Sequence, residues 1–183
     1  MFCTGQPASA NLQAMAEGGD ISGLVADVNG LGATVVENPA GGLLEPTASV
    51  EFSMNTDGTS NTRLSAVAML LPTNDAFAGL NAVEIPTDPG TYTFNVTAYD
   101  AGTEANDELL TGGGAPGAPG MPADPGGLAG TGGTGAAMAD ANTTVHIHRG
   151  SLGDTDAAAG ISDLDSRVHR WLNPVIRVTI TVQ

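Results

Sequence analysis

The stretch TYTFNVTA, residues 91–98, decides the fold class. Tyr92, Phe94, Val96 and Ala98 alternate with Thr91, Thr93, Asn95 and Thr97, which gives one dry and one wet face at a period of two. The same period returns at residues 175–182, where Ile176, Val178, Ile180 and Val182 oppose Arg177, Thr179 and Thr181. It returns again at residues 49–54, with Val50, Phe52 and Met54 on the dry side. Residues 64–71 are apolar on both faces and read as a central strand. Weaker strand signals lie at residues 33–37, 82–85 and 143–148. Several short strands separated by turn residues predict an all-β, antiparallel β-sandwich.

Helical signals are confined to the beginning. Residues 7–17, PASANLQAMAE, place Pro7 or Ser9 ahead of good helix formers, and Gly18-Gly19 stop them. A second short helix is expected over residues 21–25. Residues 111–135 are almost wholly Gly, Pro, Ala and Thr, so they read as a long surface loop inserted between strands, with little apolar surface to offset ordering. Gly130, Gly132 and Gly135 spell a dinucleotide-type glycine string, but a Gly/Pro run stands where the preceding strand should be, so low complexity explains it better.

The 183 residues suit one domain. Aromatic residues are only 4% against 41% hydrophobic overall, so the core must be built mainly from aliphatic side chains. Twenty acidic residues face five basic ones, all arginine, for a net charge of -15. That balance argues against nucleic acid and anionic membranes as partners, and favours divalent cations or high-salt surroundings. Cys3 is the single cysteine, which excludes an intrachain disulfide and a cysteine metal cluster. No apolar run of 18 residues predicts a membrane-spanning helix, and no basic-then-apolar leader opens the chain.

Two acidic turns carry the candidate chemistry. Strand 64–71 runs into PTND, ending at Asp75, and strand 91–99 runs into DAGTEAND, with Asp100, Glu104 and Asp107. With one strand between them, both turns leave the sheet at the same end, and their carboxylates converge. Ca²⁺ takes about six to eight oxygen ligands, which flexible acidic loops supply. On spacing alone, solvated turn formers are the better reading of these residues.

His146 and His148 sit two apart on a strand signal, about 7 Å apart on one face. That is a spacing for two imidazole ligands of zinc or copper, with His169 or an acid as a third, or for ordinary hydrogen bonding within the sheet. Asp154, Asp156, Asp163 and Asp165 fail the EF-hand register and read as a turn-rich acidic loop, with a second calcium site as the alternative. No nucleophile elbow is present, and Trp171 with Asn173-Pro174 reads as a core anchor before the last strand.

The strings LSAVAMLLPTNDAFAGL (64–80), AYDAGTEANDE (98–108), VHIHRG (145–150), SDLD (162–165) and NPVIRVTI (173–180) occur in the order found in the bacterial branch of the spondin N-terminal domain family, which the chain resembles. GQPASANLQAMAEGG (5–19) continues the resemblance. It implies a secreted, non-catalytic, C2-like β-sandwich with a structural, adhesive, matrix or filament role. It also implies one Ca²⁺, bound through Asp75, Asp100 and Glu104, the last commonly aspartate in animal members. Such relatives carry a further strand ahead of the GQPAS segment, so a first strand is expected to be missing here, and a strand from another copy could take its place. The alternative function is copper or zinc binding, or metalloenzyme chemistry, centred on His146 and His148.

Overall fold

The computed structural model describes residues 1–56, 58–137, 139 and 142–183. Two short helices precede five strands: α1 (Ala10–Gly18), α2 (Ser22–Gly30), β1 (Arg63–Met69), β2 (Ala76–Glu84), β3 (Gly90–Asp100), β4 (His146–Ile147) and β5 (Ile176–Val182). Every strand pairing is antiparallel, so the chain is all-β in class with two short N-terminal helices. No helix among the described residues is long and apolar enough to cross a membrane.

The expected helix starts are obeyed. Ser9 caps α1, its hydroxyl accepting the Leu12 N–H at 3.1 Å, and Gly19 closes it in the left-handed conformation at φ 73°. Asp20 then accepts the Ser22 N–H at 2.9 Å to begin α2, which runs five residues beyond the stretch expected from sequence.

The strands order as β1-β2-β3, with β4 and β5 both on the far side of β3. Val96 O accepts from Val175 N and Ala98 O accepts from His148 N. Residues two apart point to one edge, so β4 and β5 occupy successive lengths of the same edge of β3. Asn173 fills the gap between them, its side-chain oxygen accepting the Ala98 N–H at 2.7 Å.

Helix α1 covers one face, and α2 packs against α1. Leu12, Met15, Ala16, Leu24, Phe2, Phe77, Ala101 and Val145 form the main core, with Val67, Met69 and Tyr99 at its margin. Phe2 meets Phe77 edge-on at 5.1 Å and lies 4.8 Å from Tyr99. Gly79 makes this possible, because a Cβ there would stand 2.7 Å from the Phe2 ring. The opposite face carries a smaller cluster, Ala78, Leu80 and Val96, flanked by Leu64, Phe94, Ile176 and Val178.

Four sequence readings are corrected. The middle strand is β2, not a short piece at residues 82–85; Ala76, Phe77, Ala78, Gly79 and Leu80 are buried on both faces, which erases the alternation that marks a half-wet strand. Residues 64–71 do not form a central strand: β1 pairs with β2 alone and is an edge. Residues 33–37 and 49–54 form no strand, since alternation needs a neighbouring ladder and none lies beside them. The Gly/Pro loop at 111–135 lies between β3 and β4 as expected, yet it is packed down: Met121 is fully buried, and Gly117 N donates to Glu17 at 2.6 Å.

Candidate metal centre

β1, β2 and β3 run up, down and up, so the turn after β1 and the turn after β3 share one end of the sheet. Ala76 pairs with Asp100, which sets Asp75 and Ala101 side by side; Ala101 N donates to Asp75 O at 3.2 Å. Asp75 is fully buried and Asp100 nearly so, which is unusual for carboxylates that pair with no Lys or Arg among the described residues.

The second turn folds over Asp75. Its Oδ2 accepts from Thr103 N at 2.8 Å, Thr103 Oγ1 at 3.2 Å and Glu104 N at 3.2 Å. Gly102, at φ 71°, allows this wrap: a Cβ would come within 2.6 Å of Thr144 N. Asp75 Oδ1 and Glu104 Oε1, however, are buried oxygens that accept no hydrogen bond from any described residue. The site's electrostatics agree. Burial, and then the Asp100 charge, pushes the Asp75 carboxyl up to about 6, against the pull of the Thr103 and Glu104 N–H groups. Burial, and then the Glu17 carboxylate, pushes Glu104 up to about 7, with Asp75 adding to it. Glu104 Oε2 is satisfied by Gly120 N at 3.1 Å.

Asp100 is differently placed. Its Oδ1 accepts from Gly102 N at 2.8 Å and its Oδ2 from Asn106 Nδ2 at 2.6 Å. Asp107 belongs to a neighbouring network: its Oδ1 accepts from Asn74 Nδ2 at 2.8 Å and Leu109 N at 3.0 Å. Among the described residues, no three His, Cys, Asp or Glu side chains already enclose a metal-sized point. The fit to a hard cation therefore rests on chemistry: two buried carboxylate oxygens without a donor, in an all-oxygen pair of turns.

His146 and His148 flank Asp100, their Nε2 atoms 3.8 and 3.9 Å from its Oδ2. Three of their four ring nitrogens are otherwise engaged. His148 Nδ1 accepts the Gly150 N–H at 2.9 Å, so Nε2 carries the proton and donates to Asn106 Oδ1 at 2.9 Å. Burial holds His148 below the usual imidazole range, and the ring stacks on Trp171 at 5.0 Å. His146 Nδ1 lies 2.8 Å from Thr144 O and donates there. His169 stands elsewhere, 3.6 Å from Asp124 and accepting from Asp165 N at 3.0 Å.

The acids of residues 154–165 cradle main chain. Asp154 accepts from Asp156 N, Ile161 N and Ser162 N, and buried Asp163 accepts from Leu110 N and Gly133 N. Asp165 pairs with Arg167, the Nη2 to Oδ2 distance being 2.6 Å.

Sequence reasoning missed Asn74, Asn106 and Glu17. Asn74 and Asn106 lie inside the PTND and DAGTEAND turns, where an amide among the acids was the available signal. Glu17, whose charge bears on Glu104 across 87 positions of chain, left none.

A search of curated proteins returns no match. A comparison with protein families matches residues 1–109 to Spondin_N, a span that covers both helices, the three-strand unit and both acidic turns. The chain belongs to the spondin N-terminal domain family.

Proposed function

We propose that this chain is a calcium-binding, non-catalytic module with a structural or adhesive role outside the cell, its ion held between the turns that carry Asp75, Asp100 and Glu104. Its family is one of extracellular-type, non-enzymatic modules. The observation that carries the calcium reading is the pair of buried oxygens, Asp75 Oδ1 and Glu104 Oε1, that no donor among the described residues reaches. A buried carboxylate without a partner costs several kcal/mol, roughly, unless it is protonated or paired. A divalent cation supplies that pairing, and backbone carbonyls and water complete its oxygen shell. Asp100 would join by exchanging its Asn106 bond for the ion. Asp107, tied to Asn74, supports the loop rather than the ion.

Calorimetric titration with Ca²⁺ at neutral pH tests this. The expected result is one binding event in the wild type, lost in Glu104→Gln and weakened in Asp100→Ala while the fold persists. Stoichiometric zinc or copper that disappears on His148→Ala, with no calcium bound, would instead favour the histidine-centred alternative. No heat of calcium binding at any concentration up to millimolar would defeat the reading.

A further inference from the structure

Two parts of this chain each lack what the other offers. β1 is an edge strand whose Ala68 pairs with Ala78, and Leu70 N donates to Ala76 O. The main-chain groups of Val67 and Met69 therefore point away from β2. No described residue bonds to that outer side, and Ala66 and Ala68 are exposed beside it. The long segment between α2 and β1 holds the complement. Residues 49–54 have a strand's alternation but pair with no described residue, and much of their dry side faces solvent: Val50 is 37% exposed and Phe52 49%. Leu43 and Leu44, 60% and 46% exposed, extend the same apolar arm.

An unpaired edge of alanine and valine invites another strand, and an alternating apolar segment without a ladder invites a sheet. The lengths agree, six residues against the seven of β1. We propose that residues 49–54 of one copy add as a strand to the outer edge of β1 in a second copy. Val50, Phe52 and Met54 then extend the cluster around Ala78 and Leu80, whose flanking side chains Leu64, Leu70 and Val83 are only partly buried in the single chain. Both elements are present in every copy, so the exchange is reciprocal in a closed dimer or continues head to tail into a filament. The net charge of -15 opposes association, so it strengthens with ionic strength.

The test is sedimentation equilibrium of the whole chain in chelator and about 1 M salt, where the screening length is about 3 Å. Cys3→Ser is the background, because the exposed thiol would otherwise form a disulfide dimer. Reversible association is expected, with the dissociation constant raised about 100-fold or more by Val50→Asp with Phe52→Asp. Those side chains are exposed in the single chain, so circular dichroism and melting of the dilute variant should match wild type. A peptide of residues 49–54 should compete. A monomer at every concentration overturns the proposal, since the arm then folds back on its own sheet or stays free. Association untouched by the double substitution overturns it too. Working in chelator keeps either failure separate from the calcium reading.

Discussion

Replacing Asp75 with asparagine separates the cost of the site from its use. Asp75 is wholly buried, its Oδ2 holds three donors and its Oδ1 none. Its carboxyl titrates at about 6 in the folded protein against an ordinary value of 3.8. Without a cation, the folded state therefore holds this proton more tightly than the unfolded chain does. Between about pH 4 and pH 6 the native state binds more protons, so stability falls as pH rises, and the loss is complete above the folded value. A difference of about two pH units, at about 1.4 kcal/mol each, makes about 3 kcal/mol. Asparagine keeps an oxygen for the Thr103 and Glu104 N–H donors, removes the charge, and brings an N–H₂ group beside the Asp100 and Glu104 carboxylates.

Asp75→Asn should thus be more stable than wild type at pH 7.5 in chelator, by up to about 3 kcal/mol in urea unfolding. For a domain of this size that is about 6–12 °C in melting temperature. Near pH 4 the two proteins should converge. Calcium should raise the melting temperature of the wild type and leave the variant unmoved. A variant less stable than wild type in chelator at pH 7.5 would refute the reasoning, as would an equal gain from calcium in both proteins. The pattern is that of a binding site held in place against its own electrostatics.

Asn106→Ala should cost about 1–3 kcal/mol in urea unfolding, because it leaves Asp100 Oδ2 and His148 Nε2 without their shared buried partner. The same change should strengthen calcium binding in calorimetry, because Asp100 then gives up no hydrogen bond to reach the ion. Gly102→Ala should destabilise by at least about 1 kcal/mol through the left-handed backbone alone, and the crowding against Thr144 should loosen the turn further, read as faster amide exchange at residues 101–104. Phe77→Ala, which removes the ring contacts to Phe2 and Tyr99, should cost about 3–5 kcal/mol in thermal or urea melts without altering which metal binds.

Local chemistry made some of this protein legible in one dimension. The alternation in β3 and β5, the Ser9 cap and the Gly19 stop act within a few residues, so sequence order carries them directly. The two acidic turns were also visible, because turn formers punctuate strands and a single intervening strand puts both at one end. Whether a strand is central or at an edge depends instead on its neighbours. Residues 64–71 look central by composition yet lie at the edge, while the Ala- and Gly-rich β2 looks featureless and is buried on both faces.

The site divides the same way. Carboxylates at 75, 100 and 104 can be read from sequence, but their hydrogen-bond partners cannot. Tertiary packing gives Asp100 to Asn106, sets Glu17 against Glu104, and buries the one oxygen on Asp75 and the one on Glu104 that nothing satisfies. Desolvation is a property of the whole surround, since each group's cost depends on every atom that excludes water from it. No string of residues records that sum, and only the folded chain evaluates it.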